Sequence, residues 1–174
     1  MKLSFVFEID RGQWLNANQR LHPLALASRT GSLFDYAYRL ALFPKRGAIA
    51  DKDGRPIAIA TWAAGEPKRE PPFFDAEHPA MLTAFVGWPT ARPSDSDNAF
   101  PTIKALVDGI GKGTRRKPGA GLLADDNDTV IHQRTYRRGP RPARKGLYEI
   151  SLVLQDCLCL DCLKRRDRAE RVEP

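Results

Sequence analysis

Residues 81–110 read MLTAFVGWPTARPSDSDNAFPTIKALVDGI, and this stretch sets the organisation of the chain. It begins with an apolar, β-prone run, residues 81–88, which ends at Pro89 and predicts a strand. It ends with apolar side chains at helical spacing from Phe100 to Ile110, which predict an amphipathic helix. Pro101 falls near the first turn of that helix, where its missing N–H does no harm. An acidic segment therefore joins a strand to a helix.

Similar patterns on both sides of this stretch complete the fold prediction. Four further strands are predicted at residues 3–9, 57–62, 129–136 and 147–154. Residues 30–42 carry apolar side chains at helical spacing and predict the other helix. The order β-α-β-β-α-β-β indicates an α+β, or mixed α/β, fold: one compact domain with a mixed β-sheet and two main helices. That domain is predicted over residues 1–154, followed by a charged, cysteine-containing tail, residues 155–174, which we expect to be partly disordered.

The composition favours a globular protein with an acidic partner. The 174 residues are 42% hydrophobic and carry a formal net charge of +7, which is enough apolar material for a core and a basic balance suited to a polyanion. All three cysteines fall between Cys157 and Cys162, so they provide no even disulfide framework and favour a reducing compartment. The chain shows neither a signal-like start nor an apolar run long enough for a membrane span. A soluble, cytoplasmic protein with no membrane partner is expected.

Acidic residues gathered at a few points of a basic chain are the strongest chemical signal. Asp95 and Asp97, two apart, can hold a hard divalent cation through carboxylate oxygens, although Asp and Asn before a helix also serve as N-caps. Lys104 and Asp108 lie four apart on the predicted helix. They form either a surface ion pair or part of a polar stripe in which the lysine neutralises phosphate charge. A further acidic pair, residues 125–126, precedes a predicted strand. A divalent cation beside a polyanion points to phosphodiester chemistry.

The combination resembles the RusA-type Holliday junction resolvases, in their phage-like form. The resemblance rests on Asp-x-Asp-Asn at residues 95–98, on Lys104 and Asp108, and on Gly-Leu-Leu-x-Asp-Asp at residues 121–126. An early Asn/Arg-rich segment, Leu-Asn-Ala-Asn-Gln-Arg-Leu-His at residues 15–22, adds to it. The similarity covers roughly residues 1–154. Residues 100–102 make the spacing between the Asn and the Lys longer than in the compact bacterial form.

This resemblance implies a homodimeric endodeoxyribonuclease that cuts four-way DNA junctions by paired symmetric cuts. It implies Mg²⁺ as cofactor, with Mn²⁺ as a substitute, and, for a phage-encoded protein, the cytoplasm of the bacterial host. Asp95, Asp97 and Asp126 would bind the metal, with Asp125 in place of Asp126 if the register slips by one. These three aspartates and Lys104 would be the catalytic residues, with Lys104 stabilising charge at the scissile phosphate.

Three segments are candidates for DNA contact. The segment 134–145 contains six Lys/Arg residues and no acid, and it is either a solvated hairpin loop or a phosphate-binding surface. The loop 111–121 carries a second basic group, and we expect it to become ordered on DNA. Polar residues of the early segment would position the DNA backbone or satisfy their own loop. The candidates are Asn16, Asn18, Arg20, His22, Arg115, Arg116, Lys117, Arg134, Arg137, Arg138, Arg141, Arg144 and Lys145.

The cysteines leave two interpretations open. Cys157-x-Cys159-x-x-Cys162 suggests zinc, but structural zinc is almost always four-coordinate and the motif supplies three ligands. His22, His78, His132 or a residue of a second subunit would have to complete the site. Free thiols are therefore the favoured interpretation.

Two other functional classes compete with the nuclease. One is a catalytically silent DNA-binding protein, accessory to recombination, that uses the acidic motif only as a helix cap. The other is a magnesium enzyme that acts on small nucleotides. For the homodimer, the candidate interfaces are apolar residues that a single domain would struggle to cover, in strands 81–88 and 147–154 and around the cysteines. The strands are favoured, because the resemblance ends near residue 154 and the tail should not be essential.

Overall fold

The computed structural model describes residues 1–15, 23–42, 46–50, 56–62, 70–90 and 96–170. The strands are β1 (Lys2–Ile9), β2 (Arg46–Ala50), β3 (Pro56–Trp62), β4 (Ala80–Gly87), β5 (Ile131–Arg138) and β6 (Tyr148–Asp156). The helices are α1 (Pro23–Ala41), α2 (Phe100–Ile110) and α3 (Leu160–Glu170), and a short 3-10 turn, Ser96–Ala99, precedes α2. None of these helices combines the length and apolarity needed to cross a membrane.

The described strands form one mixed sheet in the order β2-β3-β1-β6-β4-β5. Neighbouring strands are antiparallel except for β4 and β5, which run parallel. The predicted mixed sheet is thereby confirmed. The alternative of a hairpin loop over residues 134–145 is wrong, because β5 continues to Arg138 and β4 lies between β5 and β6.

One face of the sheet carries the core. Alternate residues of β1, β4 and β6 are buried there, as the two-residue period of a strand requires, and α1 and α2 belong to the same core. The two helices approach closely at Gly109, where an added Cβ would lie 2.4 Å from Ala37 Cβ and 2.6 Å from the Phe34 carbonyl oxygen. Only glycine fits this crossing, so the position of α2 over the sheet depends on that residue.

This core covers one face of the two strands predicted to form the dimer interface. Leu82, Val86 and Leu152 belong to the two strands favoured for dimerisation, and all three are fully covered within the chain. The large apolar side chains that remain exposed among the described residues lie on α1, at the start of α2 and around the cysteines. They are Leu24, Leu26, Tyr38, Leu42, Phe100, Leu158, Leu160 and Leu163.

The end of the chain also differs from the prediction. Residues 160–170 of the tail form α3, so the described part of the chain contains three α-helices rather than two main ones. The β6 strand extends to Asp156, past the predicted domain limit at residue 154. Asp156 N–H donates to the Met1 carbonyl, and its carboxylate pairs with the N-terminal ammonium. These contacts attach the start of the predicted tail to β1.

Candidate active-site cleft

A cleft of about 270 Å³ lies between α2 and the edge strand β5. The parallel register pairs Leu82 with Arg134 and Ala84 with Tyr136, so both β5 side chains share the face of the sheet that carries the helices. The cleft is lined by Leu82, Phe100, Ile103, Lys104, Val107, Asp126, Arg134 and Tyr136. An apolar floor with a few charged groups is typical of a ligand site.

Lys104 is the electrostatic centre of the cleft. Its ammonium donates hydrogen bonds to Asp108, one helical turn away, and to Asp126, 22 residues further along the chain. The predicted pair between Lys104 and Asp108 is confirmed. The contact with Asp126 joins two elements of the sequence motif, the helix and the acidic pair, at one point.

The loop that carries Asp126 is held by its own polar side chains. Asn127 Oδ1 accepts the N–H groups of Thr129 at 3.0 Å and Val130 at 3.3 Å, which fixes the turn before β5. Asp125 Oδ1 accepts the N–H of Asp126 at 2.8 Å. Arg134 donates to the carbonyl of Asp126 and pairs with Asp128. Of the two adjacent acids, Asp126 therefore faces Lys104, whereas Asp125 supports the loop.

Partial burial and ion pairing set the protonation states in the cleft. Desolvation raises the pKa of Asp126, but hydrogen bonds and charge from Lys104 outweigh it and leave this pKa below its usual value. Desolvation lowers the pKa of Lys104, but hydrogen bonds and charge from Asp108 and Asp126 outweigh it. The pKa of Lys104 therefore lies above its usual value. The pKa of Asp108 is raised, chiefly by desolvation, against the opposing effect of Lys104. At neutral pH Asp126 is ionised and Lys104 is protonated, which are the forms that metal and phosphate binding require.

The leading acidic motif reaches the edge of this site. The 3-10 turn that contains Asp97 contacts both α2 and β5. Asp95 lies outside the described residues, and so does the side chain of Asp97. The N-cap residue of α2 is Ala99, which makes no side-chain capping hydrogen bond.

The early Asn/Arg-rich segment starts beside α2. The buried hydroxyl of Thr102 accepts the N–H of Leu15 at 2.8 Å and donates to its carbonyl at 2.6 Å. Asn16 follows directly in the chain. Asn16, Asn18, Arg20 and His22 themselves lie outside the described residues.

The loop between α2 and β5 is attached to α1. Lys117 donates to the Gly31 carbonyl at 2.8 Å, pairs with Asp35 at 2.8 Å and lies 4.7 Å above the centre of the Phe34 ring. Lys117 therefore anchors this loop to α1. Arg115 and Arg116 are exposed beside it and remain DNA-contact candidates.

The basic residues after Arg134 divide between the two faces of the sheet. Arg138 pairs with Val86 in the register and shares the helix side with Arg134, whereas Arg137 pairs with Phe85 and belongs to the opposite side. Beyond β5, Arg141 donates to the Pro89 carbonyl at 3.3 Å, Arg144 pairs with Glu8 at 2.8 Å, and Lys145 is exposed. The segment is thus not one continuous DNA-facing surface.

A second cluster lies where β6 ends and β5 begins. Cys157, Cys159 and Cys162 lie with His132 at one point, and all three thiols are reduced. A hydrogen bond with His132 is the main cause that lowers the pKa of the Cys159 thiol to about 6, whereas burial raises that of Cys162 to about 12. Among the described side chains, this is the one group of three or more metal-binding residues.

Comparison with protein-family models gives no match, and neither does comparison with curated proteins.

Three features of these sites were not predicted from sequence. Asp108 was predicted to pair with Lys104 or to share its polar stripe, but not to share one ammonium with Asp126. Phe100 and Tyr136 meet edge to face at the cleft, with ring centroids 6.0 Å apart. His132 was one of several histidines that could complete a zinc site, and nothing local in the sequence distinguishes it.

Proposed function

We propose that this protein is a Mg²⁺-dependent, structure-selective endodeoxyribonuclease that resolves four-way DNA junctions as a homodimer. One observation carries the proposal: Lys104 and Asp126, which the resemblance pairs in function, are bonded to each other in a cleft. The basic composition and the exposed Arg138 on the cleft side of β5 suit a polyanionic substrate.

The donor atoms of the cleft suit a hard cation. Asp126 offers an ionised carboxylate at the cleft, and Asp108 brings a second carboxylate to the same ammonium. Asp95 and Asp97 would join Asp126 as ligands. A bound Mg²⁺ would polarise the phosphoryl oxygen, orient a water molecule and offset charge on the leaving oxygen. Oxygen donors are the ligands that this ion prefers.

The residues of the chain have separate tasks in this scheme. Lys104 supplies a compact positive charge for the scissile phosphate and keeps Asp126 ionised. Arg134 holds the backbone of Asp126 through its carbonyl, so the carboxylate is presented from a fixed loop. The apolar floor of Leu82, Ile103 and Val107 limits the water around the charged groups.

The rim of the cleft carries a feature suited to a branched substrate. Phe100 is 47% exposed although it begins α2, and its ring is held at a right angle to Tyr136. An exposed aromatic ring beside a basic surface can stack on an unpaired base, and bases at a junction are easier to unstack than those within a duplex.

Homodimerisation follows from the substrate. A four-way junction has two-fold symmetry, so two coordinated cuts need two sites at a fixed separation, which an isologous dimer provides. The exposed leucines around the cysteines and the outer residues of α1 offer apolar contact area, and the favoured strands keep a partly exposed face opposite the core.

The experiment that tests this function compares a labelled four-way junction with a linear duplex of the same arms, in Mg²⁺ and in EDTA. Symmetric nicks on the junction alone, dependent on Mg²⁺, are expected. Tight junction binding without cuts would instead support the silent DNA-binding protein. Cleavage of small nucleotides without DNA binding would support the third class.

A further inference from the structure

The His/Cys cluster has the dimensions of a tetrahedral metal site. The four potential ligand atoms all lie within 4.8 Å of one another. His132 Nδ1 is 3.3 Å from Cys162 Sγ and 3.6 Å from Cys159 Sγ. A tetrahedral zinc ion, with bonds of about 2.1 Å to nitrogen and about 2.3 Å to sulfur, requires N···S edges of about 3.6 Å. These two distances match that geometry, and the other pairs, all within 4.8 Å, need to close by at most about 1 Å.

A backbone irregularity places the histidine. The β4–β5 register passes from Ala80 opposite Ile131 to Met81 opposite Gln133, so His132 has no partner in the pairing. A bulge of this kind redirects a side chain that regular pairing would commit to one face of the sheet. His132 is the residue at this bulge, and its ring contacts two of the thiols.

The cysteines reach the cluster from the β6 side of β4, whereas His132 reaches it from the β5 side. Cys157 follows the last residue of β6, and its N–H donates to the Pro79 carbonyl at 2.8 Å. The N–H of Cys159 donates to Cys157 Sγ at 3.5 Å. Cys162 lies in the first turn of α3, whose start is marked by the bond from Leu163 N–H to the Cys159 carbonyl at 3.0 Å.

Among the described side chains, no other set of contacts is sufficient to hold α3 against the rest of the domain. Cys162 is 3% exposed, whereas every other described side chain of this helix is exposed, including Leu160 at 74% and Leu163 at 39%. An eleven-residue helix is marginal on its own. Arg165 adds a single bond to the Ala76 carbonyl at 3.3 Å. The helix is thus held at the cluster rather than by an apolar face.

We propose that His132, Cys157, Cys159 and Cys162 bind one Zn²⁺ in a closed structural site that fastens α3 and the end of β6 to the start of β5. Thiolate and imidazole ligands select zinc over magnesium. Four protein ligands leave no open position, as in structural rather than catalytic sites. Packing of buried cysteines as small apolar residues explains Cys157 and Cys162, but not the partly exposed Cys159 and His132 beside them. The earlier preference for free thiols is replaced by this site.

The test measures metal in the full-length protein, purified without a polyhistidine tag or chelator and under reducing conditions. Elemental analysis should give about one zinc per chain, as one four-coordinate site requires. His132→Ala and Cys159→Ser should each lower zinc affinity at least about 10-fold, because even outer-shell changes cost that much. His132→Cys, which keeps four ligands, should retain the metal. His78→Ala is the matched control and should retain it as well.

A second set of measurements is made on the wild-type protein, so it tests the site even if a variant fails to fold. The wild-type protein loaded with Co²⁺ should show a thiolate charge-transfer band and the intense visible absorption of tetrahedral cobalt, both abolished by added Zn²⁺. Chelation should lower the unfolding temperature of the wild type, and a lower chelator concentration should suffice to remove the metal from folded His132→Ala. A wild-type chain that binds neither Zn²⁺ nor Co²⁺, a disulfide in the freshly purified reduced protein, or an unchanged zinc affinity of folded His132→Ala would overturn the proposal.

Discussion

Lys104 and Asp126 are bonded across the cleft although 22 residues separate them in the chain. The lysine belongs to α2, and the aspartate belongs to the loop that enters β5. Because Arg134 and Asp125 both hold the backbone of Asp126, the contact is supported from two sides. An exposed ion pair needs no such support, and we infer that the arrangement serves chemistry.

The first prediction concerns Lys104 in catalysis. Lys104→Met should lower kcat for junction cleavage by about 100-fold or more, as loss of a donor to developing charge does, while junction affinity changes little. Lys104→Arg should recover only part of the rate, because a planar guanidinium does not replace a compact ammonium. Single-turnover cleavage and a binding titration separate the two effects. An equal loss of affinity and rate would make Lys104 an ordinary DNA contact.

The second prediction concerns stability and pH. The lowered pKa of Asp126 means that its ion pair stabilises the fold above about pH 4 and that this contribution is lost as pH falls. The raised pKa of Lys104 means that its contribution is present below about pH 10 and is lost as pH rises further. Asp108 has the opposite effect on stability. Because its pKa is raised, its ionised form lowers the free energy of unfolding above about pH 4.

Lys104→Met should therefore destabilise the protein most near neutral pH, where two carboxylates lose their shared cation, and less near pH 3, where protonation of the carboxylates sets in. Lys104 is 46% exposed, so solvent screening limits the neutral-pH loss to about 1 kcal/mol. Denaturant unfolding of the wild type, Lys104→Met and the exposed control Lys145→Met at both pH values measures it. A loss that is the same at both pH values would exclude the electrostatic explanation.

The third prediction uses the alternation of β5. Arg138 shares the cleft side of the sheet and Arg137 the opposite side, so the two adjacent arginines form a matched pair. Arg138→Gln should weaken junction binding and reduce the slope of log K against log salt by about 0.9, the value for one phosphate contact. Arg137→Gln should change neither quantity much. Equal effects of the two variants would show that the DNA does not follow the cleft side.

The fourth prediction concerns the dimer. Light scattering should give about twice the chain mass of 19.5 kDa, as a two-fold dimer requires. Leu160→Glu and Leu42→Glu test the two exposed apolar surfaces, and only the variant on the true interface should give a monomer. A monomeric wild type at micromolar concentration would contradict the homodimer and weaken the case for paired cuts.

The sequence predicted those parts of the fold whose signal is local. The alternation in β1 and the helical spacing in α2 were sufficient, because burial on one side repeats at a fixed interval in each element. The parallel pairing of β4 with β5 was not predictable in this way, since strand order depends on contacts between distant segments. The α3 helix was missed because its charged sequence, Leu-Asp-Cys-Leu-Lys-Arg-Arg, has no continuous apolar stripe.

In the candidate sites, too, local contacts were predicted and contacts between distant segments were not. The pair of Lys104 with Asp108 follows from helical spacing, whereas the approach of Asp126 requires the loop before β5 to fold back onto α2. The choice of Asp126 over Asp125 depends on a single backbone hydrogen bond that no spacing rule reveals. His132 is separated from Cys159 and Cys162 by 27 and 30 residues, so its place in the cluster depends on the bulge in β5.

The most direct test of the central claim is junction cleavage by Asp126→Asn compared with Asp128→Asn, at saturating Mg²⁺ and with binding measured in parallel. Both variants remove one carboxylate from the same loop, but only Asp126 faces Lys104. We predict that Asp126→Asn lowers cleavage at least about 100-fold, as loss of a metal ligand implies, while it binds the junction as well as the wild type or better. Asp128→Asn should cleave at nearly the wild-type rate. Wild-type cleavage by folded Asp126→Asn would contradict the account.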